Sequence, residues 1–496
     1  MKDLTKFPSP IYQETVLAPI FDAFKANYYE EMMAINYAHA VMLMDQGILS
    51  EAEGKQIIRA LKKIEAELDL DSLQYNGEYE DLFFFIEQQL IKEIGIDVAG
   101  KLHTGRSRND INITLFKMKT KRHLRSLLQR LLELNRTLLE IAKANQETIV
   151  IAYTHGQPAQ PTTFGHYLGA LIEILGRDVN RLLRAYHTAD QSSMGAAAIT
   201  TSGFPLNREQ VAELLGFAKP QENSYGCIAA VDYLMEVYSA IKILFINLGR
   251  FAQDLDFQTS FELGHLYVPN EFVQISSIMP QKRNPVAVEH IRIQASTVVG
   301  QCDTVVNAMH NTPFADMNDA EDPIQVIGFD LFAKADRCLK LITGFVSGLQ
   351  VDSEKVTKHI NESFVTITEL ADTLVRKQNL SFRAAHEVAS LLVRSLIKEK
   401  QTLDQVDYEQ FKEFFTEVAG REPTLTREEF REALDPTYFV QVRSSLGGPA
   451  REALAQSLRH YENGMKVQEV ALRELAEKEE VAKERLNQRV LDITSL

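Results

Sequence analysis

The chain has 496 residues, of which 45% are hydrophobic and 24% charged, and its formal net charge is −15 at pH 7. That length gives room for about three domains and a large buried core. The acidic balance argues against a nucleic-acid surface, so an anionic ligand would have to be held by local positive charge.

No stretch approaches the roughly 18 consecutive apolar residues of a membrane span. The opening MKDLTKFPSPIYQE has no apolar signal core. The expectation is a cytoplasmic protein with neither a membrane nor a nucleic-acid partner. Cys227, Cys302 and Cys338 are far apart and set in helical patterns, which suits buried small hydrophobes better than disulfides or a zinc site.

In chain order, residues 1–105 read as several short helices forming an N-terminal domain. From Arg106 to His155 there is no Gly or Pro, and Leu recurs at three- and four-residue spacings. This predicts one long helix, far beyond the usual length of about 11–12 residues. Comparable patterns at about 162–190, 225–260, 285–310 and 324–350 carry apolar stripes too broad for surface helices. Five long helices predict a central bundle domain over residues 106–351. Residues 352–496 are helical but more polar, and form the expected C-terminal domain. The fold class is therefore all-α, with three helical domains. Neither strand alternation nor a glycine-rich phosphate cradle supports a Rossmann or P-loop architecture.

Three polar interruptions collect the residues that could carry chemistry. In Leu102-His-Thr-Gly-Arg-Ser-Arg-Asn-Asp110, Arg106 and Arg108 lie beside Ser107 and Asn109 at a helix start, where free N–H groups and the dipole favour an anion. The same residues also suit a capping segment, with Asn109 or Asp110 as N-cap and the arginines solvated. In Tyr153-Thr-His-Gly-Gln-Pro-Ala-Gln-Pro161, a helix ends, two prolines fix an extended turn, and Thr162 or Thr163 can cap the next helix. His155 sits at that turn, as a structural residue or a catalyst, beside Thr154, Gln157 and Gln160.

The third interruption is Gln274-Ile-Ser-Ser-Ile-Met-Pro-Gln-Lys-Arg-Asn-Pro285. Asn284-Pro285 reads as an N-cap followed by Pro at the first helical position, which puts Glu289 in the second turn and Arg292 three residues later. Upstream, Ser276, Ser277 and Lys282 can present two hydroxyls and an ammonium, a set suited to a carboxylate-bearing substrate. The 12 His residues form no H-x3-H or H-E-x-x-H pair, which disfavours metal, and a Ser-His-Asp hydrolase would lack its G-x-S-x-G turn.

With these three segments in order, the chain resembles the fumarase and aspartase superfamily, and within it the argininosuccinate lyase branch. The likeness runs from about residue 34 to about 460 and includes Thr368–Lys377, Ser381–Glu387, Val442-Arg443 and Gly447-Gly448-Pro449. It implies a homotetramer with a 20-helix core and active sites shared by three subunits. The implied reaction is β-elimination of an N-substituted aspartate, argininosuccinate, to fumarate and an amine, arginine, as in arginine biosynthesis. No metal or organic cofactor is implied. The resemblance assigns Ser276 as base, His155 with Glu289 as the proton-transfer pair, and Lys282 with Asn284 as stabilisers of the charged carboxylate. It assigns Arg108, Asn109, Thr154, Gln157, Ser277 and Met279 to substrate binding.

The departures lie where the leaving amine would sit. The family's N-terminal Trp-Gly-Gly-Arg-Phe is missing, since the chain has no Trp, and Phe21 falls where the family has a substrate-contacting serine. Pro313-Phe-Ala-Asp-Met-Asn-Asp-Ala-Glu-Asp-Pro-Ile324 replaces P-x-A-Y-N-x-D-x-Q-x-x-K, putting Asp316 for Tyr, Glu321 for Gln and Ile324 for Lys. Ile275 stands where Gly commonly precedes the serine pair. Asp316 and Glu321 are thus substrate-side candidates that make a more cationic leaving group plausible. The alternatives are a lyase of the same branch acting on another N-substituted aspartate or aminocarboxylic acid, and a catalytically idle structural helical oligomer.

Overall fold

A computed structural model describes residues 7–495. Near the N-terminus, α1 (Ala18–Asp45), α2 (Glu51–Glu67) and α3 (Leu82–Ile94) pack around Met32, Leu61, Phe83 and Phe116. Ser50 and Glu53 form a reciprocal capping box on α2, and Asp81 caps α3. Phe21 belongs to this core, 2% exposed and set against Tyr75 and Phe85.

Five long helices follow: α4 (Arg108–Ala144), α5 (Phe164–Ala189), α6 (Asp232–Thr259), α7 (Val286–Met309) and α8 (Asp322–Gly348). Leu131, Leu175, Leu244, Ile291 and Phe345 belong to their common core, together with Cys302 and Cys338, and Cys227 is buried too. Cross-links show that α6 runs antiparallel to both α5 and α7. Tyr167 near the start of α5 donates to Asp254 near the end of α6, and Arg292 near the start of α7 pairs with Asp256.

The first long helix is shorter than its sequence suggests. It stops at Ala144, and Ile149–Thr154 (β1) pairs antiparallel with Gln157–Thr163 (β2). The reason is the β-branched run Thr148-Ile-Val-Ile, which favours a strand over a helix even without Gly or Pro to break it. The hairpin is held by Ile151 against Val356, Ile360 and Val365.

Beyond the bundle, α9 (Ile367–Gln378), α10 (Phe382–Glu399), α11 (Tyr408–Ala419) and α12 (Arg427–Leu434) enclose a separate core in which Phe411 and Phe430 stack at 4.5 Å. The 45-residue α13 (Arg451–Ser495) then runs back along the molecule. Its Leu454, Leu458 and Met465 join the bundle core, and its Leu486, Val490 and Ile493 join the N-terminal core. Among the described residues, no helix is long and apolar enough to cross a membrane.

Candidate active site

The segment before α4 is organised by Ser107, not by Asn109 or Asp110. Ser107 is the N-cap, and its backbone N–H donates to Asp110 Oδ1 at 2.8 Å, completing a capping box. Asp110 also accepts from the N–H groups of Gly195 and Ala197, both at 2.9 Å, and Asn109 donates to the Ala198 carbonyl at 3.1 Å. Burial pushes the Asp110 carboxyl up to about 7 against these donors. Asp110 and Asn109 therefore pin residues 195–198 to the start of α4.

The two arginines have opposite surroundings. Arg106 is buried and donates to Asn36 Oδ1 at 2.7 Å, and burial lowers its guanidinium to about 10. Arg108 is half-buried over the Phe84 ring, with Asp81 at 2.8 Å and Glu80 at 3.2 Å. Asp316, Glu321 and Asp322 face the same guanidinium. Burial, followed by repulsion from Asp322 and Asp316, pushes Glu321 up to about 8; burial, followed by Asp81, pushes Asp322 up to about 7. Ile324 points away from this cluster into the bundle core, 6% exposed.

The second segment is a two-residue hairpin turn. His155 and Gly156 form its tip with φ of 55° and 71°, the paired positive angles of a type I′ connection. Thr154 pairs with Gln157 across the turn, and Thr154, His155 and Gln157 are all exposed. Thr163 caps α5 through its bond from the His166 N–H at 3.1 Å.

In the third segment Asn284 is not the helix cap. It lies in a short strand, Arg283–Asn284 (β4), paired with Gln274–Ile275 (β3), and α7 begins at Val286 behind Pro285. The pairing of Ile275 opposite Arg283 and the Asn284 side-chain bond to the Gln274 carbonyl at 3.1 Å tie off a loop of residues 276–282. Within it, Ser276 Oγ accepts from the N–H groups of Met279 at 3.1 Å and Ile278 at 3.4 Å. Donors on that oxygen favour its negatively charged form. Ser277, Met279 and Lys282 are exposed, as is Glu289 on the first turns of α7. Arg283 anchors the loop base, donating to the Val268 carbonyl at 2.7 Å and lying 4.9 Å over the Tyr267 ring.

The fold separates these parts. Arg108 and Asn109 open α4, a 37-residue helix about 55 Å long at the usual rise, and His155 follows its far end. Residues 313–324 join α7 to α8 at the Arg108 end. The Ser276 loop opens α7 at the His155 end, where Tyr153 packs on Phe257 and His265 at ring distances of 5.4 and 6.0 Å. One chain therefore brings Arg108 to Asp316 and Glu321, and the hairpin to the loop's end of the bundle, but not the two groups to each other. A cavity of about 550 Å³ between the N-terminal helices and α13, lined by Tyr37, Lys121 and Glu479 among others, contains none of these residues.

Sequence reasoning passed over Asp81, Asp322 and Arg283. Asp81 carried a signal, an acidic residue directly before the apolar run Leu82-Phe-Phe-Phe-Ile. Asp322 and Arg283 carried none, since only the packing shows what they face.

The chain matches the Lyase family over residues 17–300 and the Argininosuccinate lyase C-terminal family over residues 364–441. Argininosuccinate lyase 2 of Agrobacterium fabrum is 50% identical over 92% of this chain and 91% of its own. The chain belongs to the argininosuccinate lyase branch of the fumarase/aspartase superfamily. An argininosuccinate lyase of Methanococcus maripaludis is 34% identical over 88% of this chain and 89% of its own. Among solved structures, a variant of EDDS lyase with bound fumarate superposes with a TM-score of 0.86 at 26% identity, covering 99% of this chain and 97% of its own. A class II fumarase of Schistosoma mansoni, 18% identical with a TM-score of 0.67 over 85% of this chain and 91% of its own, shares the all-α fold.

Proposed function

We propose that this carbon–nitrogen lyase of the argininosuccinate lyase family cleaves an N-substituted aspartate, argininosuccinate in the first instance, into fumarate and an amine, in sites shared between copies of the chain. The observation that carries the shared site is the separation of Arg108 from His155 by the length of α4. Chains packed antiparallel would bring the Arg108 end of one bundle to the His155 and Ser276 end of another. Exposed apolar residues on the bundle, Ile243, Ile246, Phe257 and Ile293, suit a second copy as their cover. Four chains of five long helices would give a 20-helix core.

In the elimination, a proton leaves the carbon next to one substrate carboxylate, the C–N bond breaks, its electron pair goes to nitrogen, and fumarate's double bond forms. Ser276 Oγ takes the proton, stabilised as an anion by its two backbone N–H donors. Lys282 and Asn284 hold the carboxylate on which charge develops. His155, oriented by Glu289, passes a proton to the leaving nitrogen. Asn109, Thr154, Gln157, Ser277 and Met279 contact the succinyl part, while Arg108, Asp316 and Glu321 lie on the amine side.

The test follows fumarate by its ultraviolet absorbance with argininosuccinate as substrate. Turnover by the parent protein, and a loss of about 10³-fold in Ser276→Ala with the assembly intact, are expected. Equal turnover in the variant would remove Ser276 from this role, and no turnover in an assembled parent would favour an idle scaffold.

A further inference from the structure

We propose that the Arg108 end of the site recognises a leaving amine by a lone terminal cation, so that amines ending in an ammonium or guanidinium are preferred over those ending in an amino-acid head. This rests on the lyase reading above and names the amine that reading leaves open.

Charge is the first observation. One guanidinium, Arg108, is paired with Glu80 and Asp81 just before α3, and acts electrostatically on three further carboxyl groups, Asp316 and Glu321 before α8 and Asp322 at its start. Arg108 is already paired with Asp81 and Glu80, and the side chain at 324 is an isoleucine turned into the core. A carboxylate on the amine would lie among these acidic groups, two of which burial already holds protonated into the neutral range, without a free cation among them to hold it.

Unmet hydrogen bonding is the second, independent observation. The Tyr28 hydroxyl, on a side chain only 1% exposed, has no partner and faces Asp322, Tyr233 and Tyr238. Oδ1 of Asp322 is likewise shut off from solvent without a partner. A buried carboxylate oxygen without a donor and a buried hydroxyl without any partner are both costly, and an N–H group can donate to either oxygen. A protonated nitrogen has several such donors, and its charge favours the ionised forms of Glu321 and Asp322 that burial alone opposes. Nearby, Tyr225 stacks on Phe314 and donates to its carbonyl at 3.2 Å, fixing the loop that carries Asp316.

The experiment runs the reaction toward addition, following fumarate consumption by the assembled protein with matched amines. L-arginine is compared with its decarboxylated analogue 4-aminobutylguanidine, and 1,4-diaminobutane with butylamine. The expected result is at least a tenfold higher kcat/KM for the first analogue over arginine and for the diamine over the monoamine. Asp322→Asn and, as a second variant in case the first fails to assemble, Glu321→Gln should each lower both ratios severalfold. Arginine matching or exceeding its analogue, or ratios unchanged in both variants, would overturn the proposal while leaving the lyase reading intact. Absence of fumarate turnover with every amine and with argininosuccinate would overturn both.

Discussion

Asp322 illustrates how much the burial of a single carboxyl can cost. Its folded-state carboxyl, pushed up to about 7 by burial and Asp81, binds a proton over a range where the unfolded chain, with a carboxyl near 4, does not. Below about pH 4 the residue is neutral in both states and costs nothing. As pH rises from there through its folded value, stability is lost, and Glu321 at about 8 adds a loss of the same sign. Asp322→Asn should therefore raise stability at pH 8 by on the order of 1–3 kcal/mol and leave it nearly unchanged at pH 4. Denaturant midpoints at the two pH values check this, and equal shifts at both would contradict it. His155 can be separated from its backbone in the same way, because Asn tolerates its positive φ of 55°. His155→Asn should keep the unfolding midpoint and lower kcat by about 10²–10³-fold.

Among the elements, the loop of residues 276–282 depends on a clamp that is not part of the chemistry. Arg283 reaches back to Val268 and Tyr267 and holds the start of β4, so the position of Ser276 follows from it. Arg283→Ala should lower kcat by on the order of 10²-fold through misplacement, with a smaller effect on KM, and steady-state kinetics would show the split. The capping chemistry of these elements was readable in the sequence where it is local: of the two threonines offered before α5, Thr163 caps it, within three residues of the N–H it satisfies. Ser107 was displaced by its neighbours in that reading, because Asn109 and Asp110 are equally good caps in isolation; only the bonds of Asp110 to residues 195 and 197 decide among them. The hairpin carrying His155 was hidden for a similar reason, as its strands are stabilised by pairing with each other and by Val356 and Ile360, about 200 residues away.

For the whole molecule, the division of motifs between the two ends of the bundle has a direct consequence. If sites are shared between copies, Arg108→Ala and Ser276→Ala chains are each inactive, yet mixed assemblies contain sites in which both residues are intact. Random mixing in a symmetric oligomer should restore up to about a quarter of parental activity per site. Activity after the two variants are denatured and refolded together, against each refolded alone, measures this. No recovery in assemblies shown to be mixed would place each site within one chain.

The sequence by itself determined the helical periodicity, the three polar segments and the family, because those are written in side-chain types at short spacings and in motif order. It also revealed the acidic replacements at 316 and 321, but not what they meet. Tertiary structure alone decided that Arg106 is buried while Arg108 faces a carboxylate cluster, that Ile324 belongs to the core, and that α4 holds the first two motifs apart. The physical reason is range. Helix stripes and caps are set by contacts within a few residues, whereas the charge around Arg108 is the sum of groups brought together from positions 80, 81, 316, 321 and 322 by the packing of separate helices.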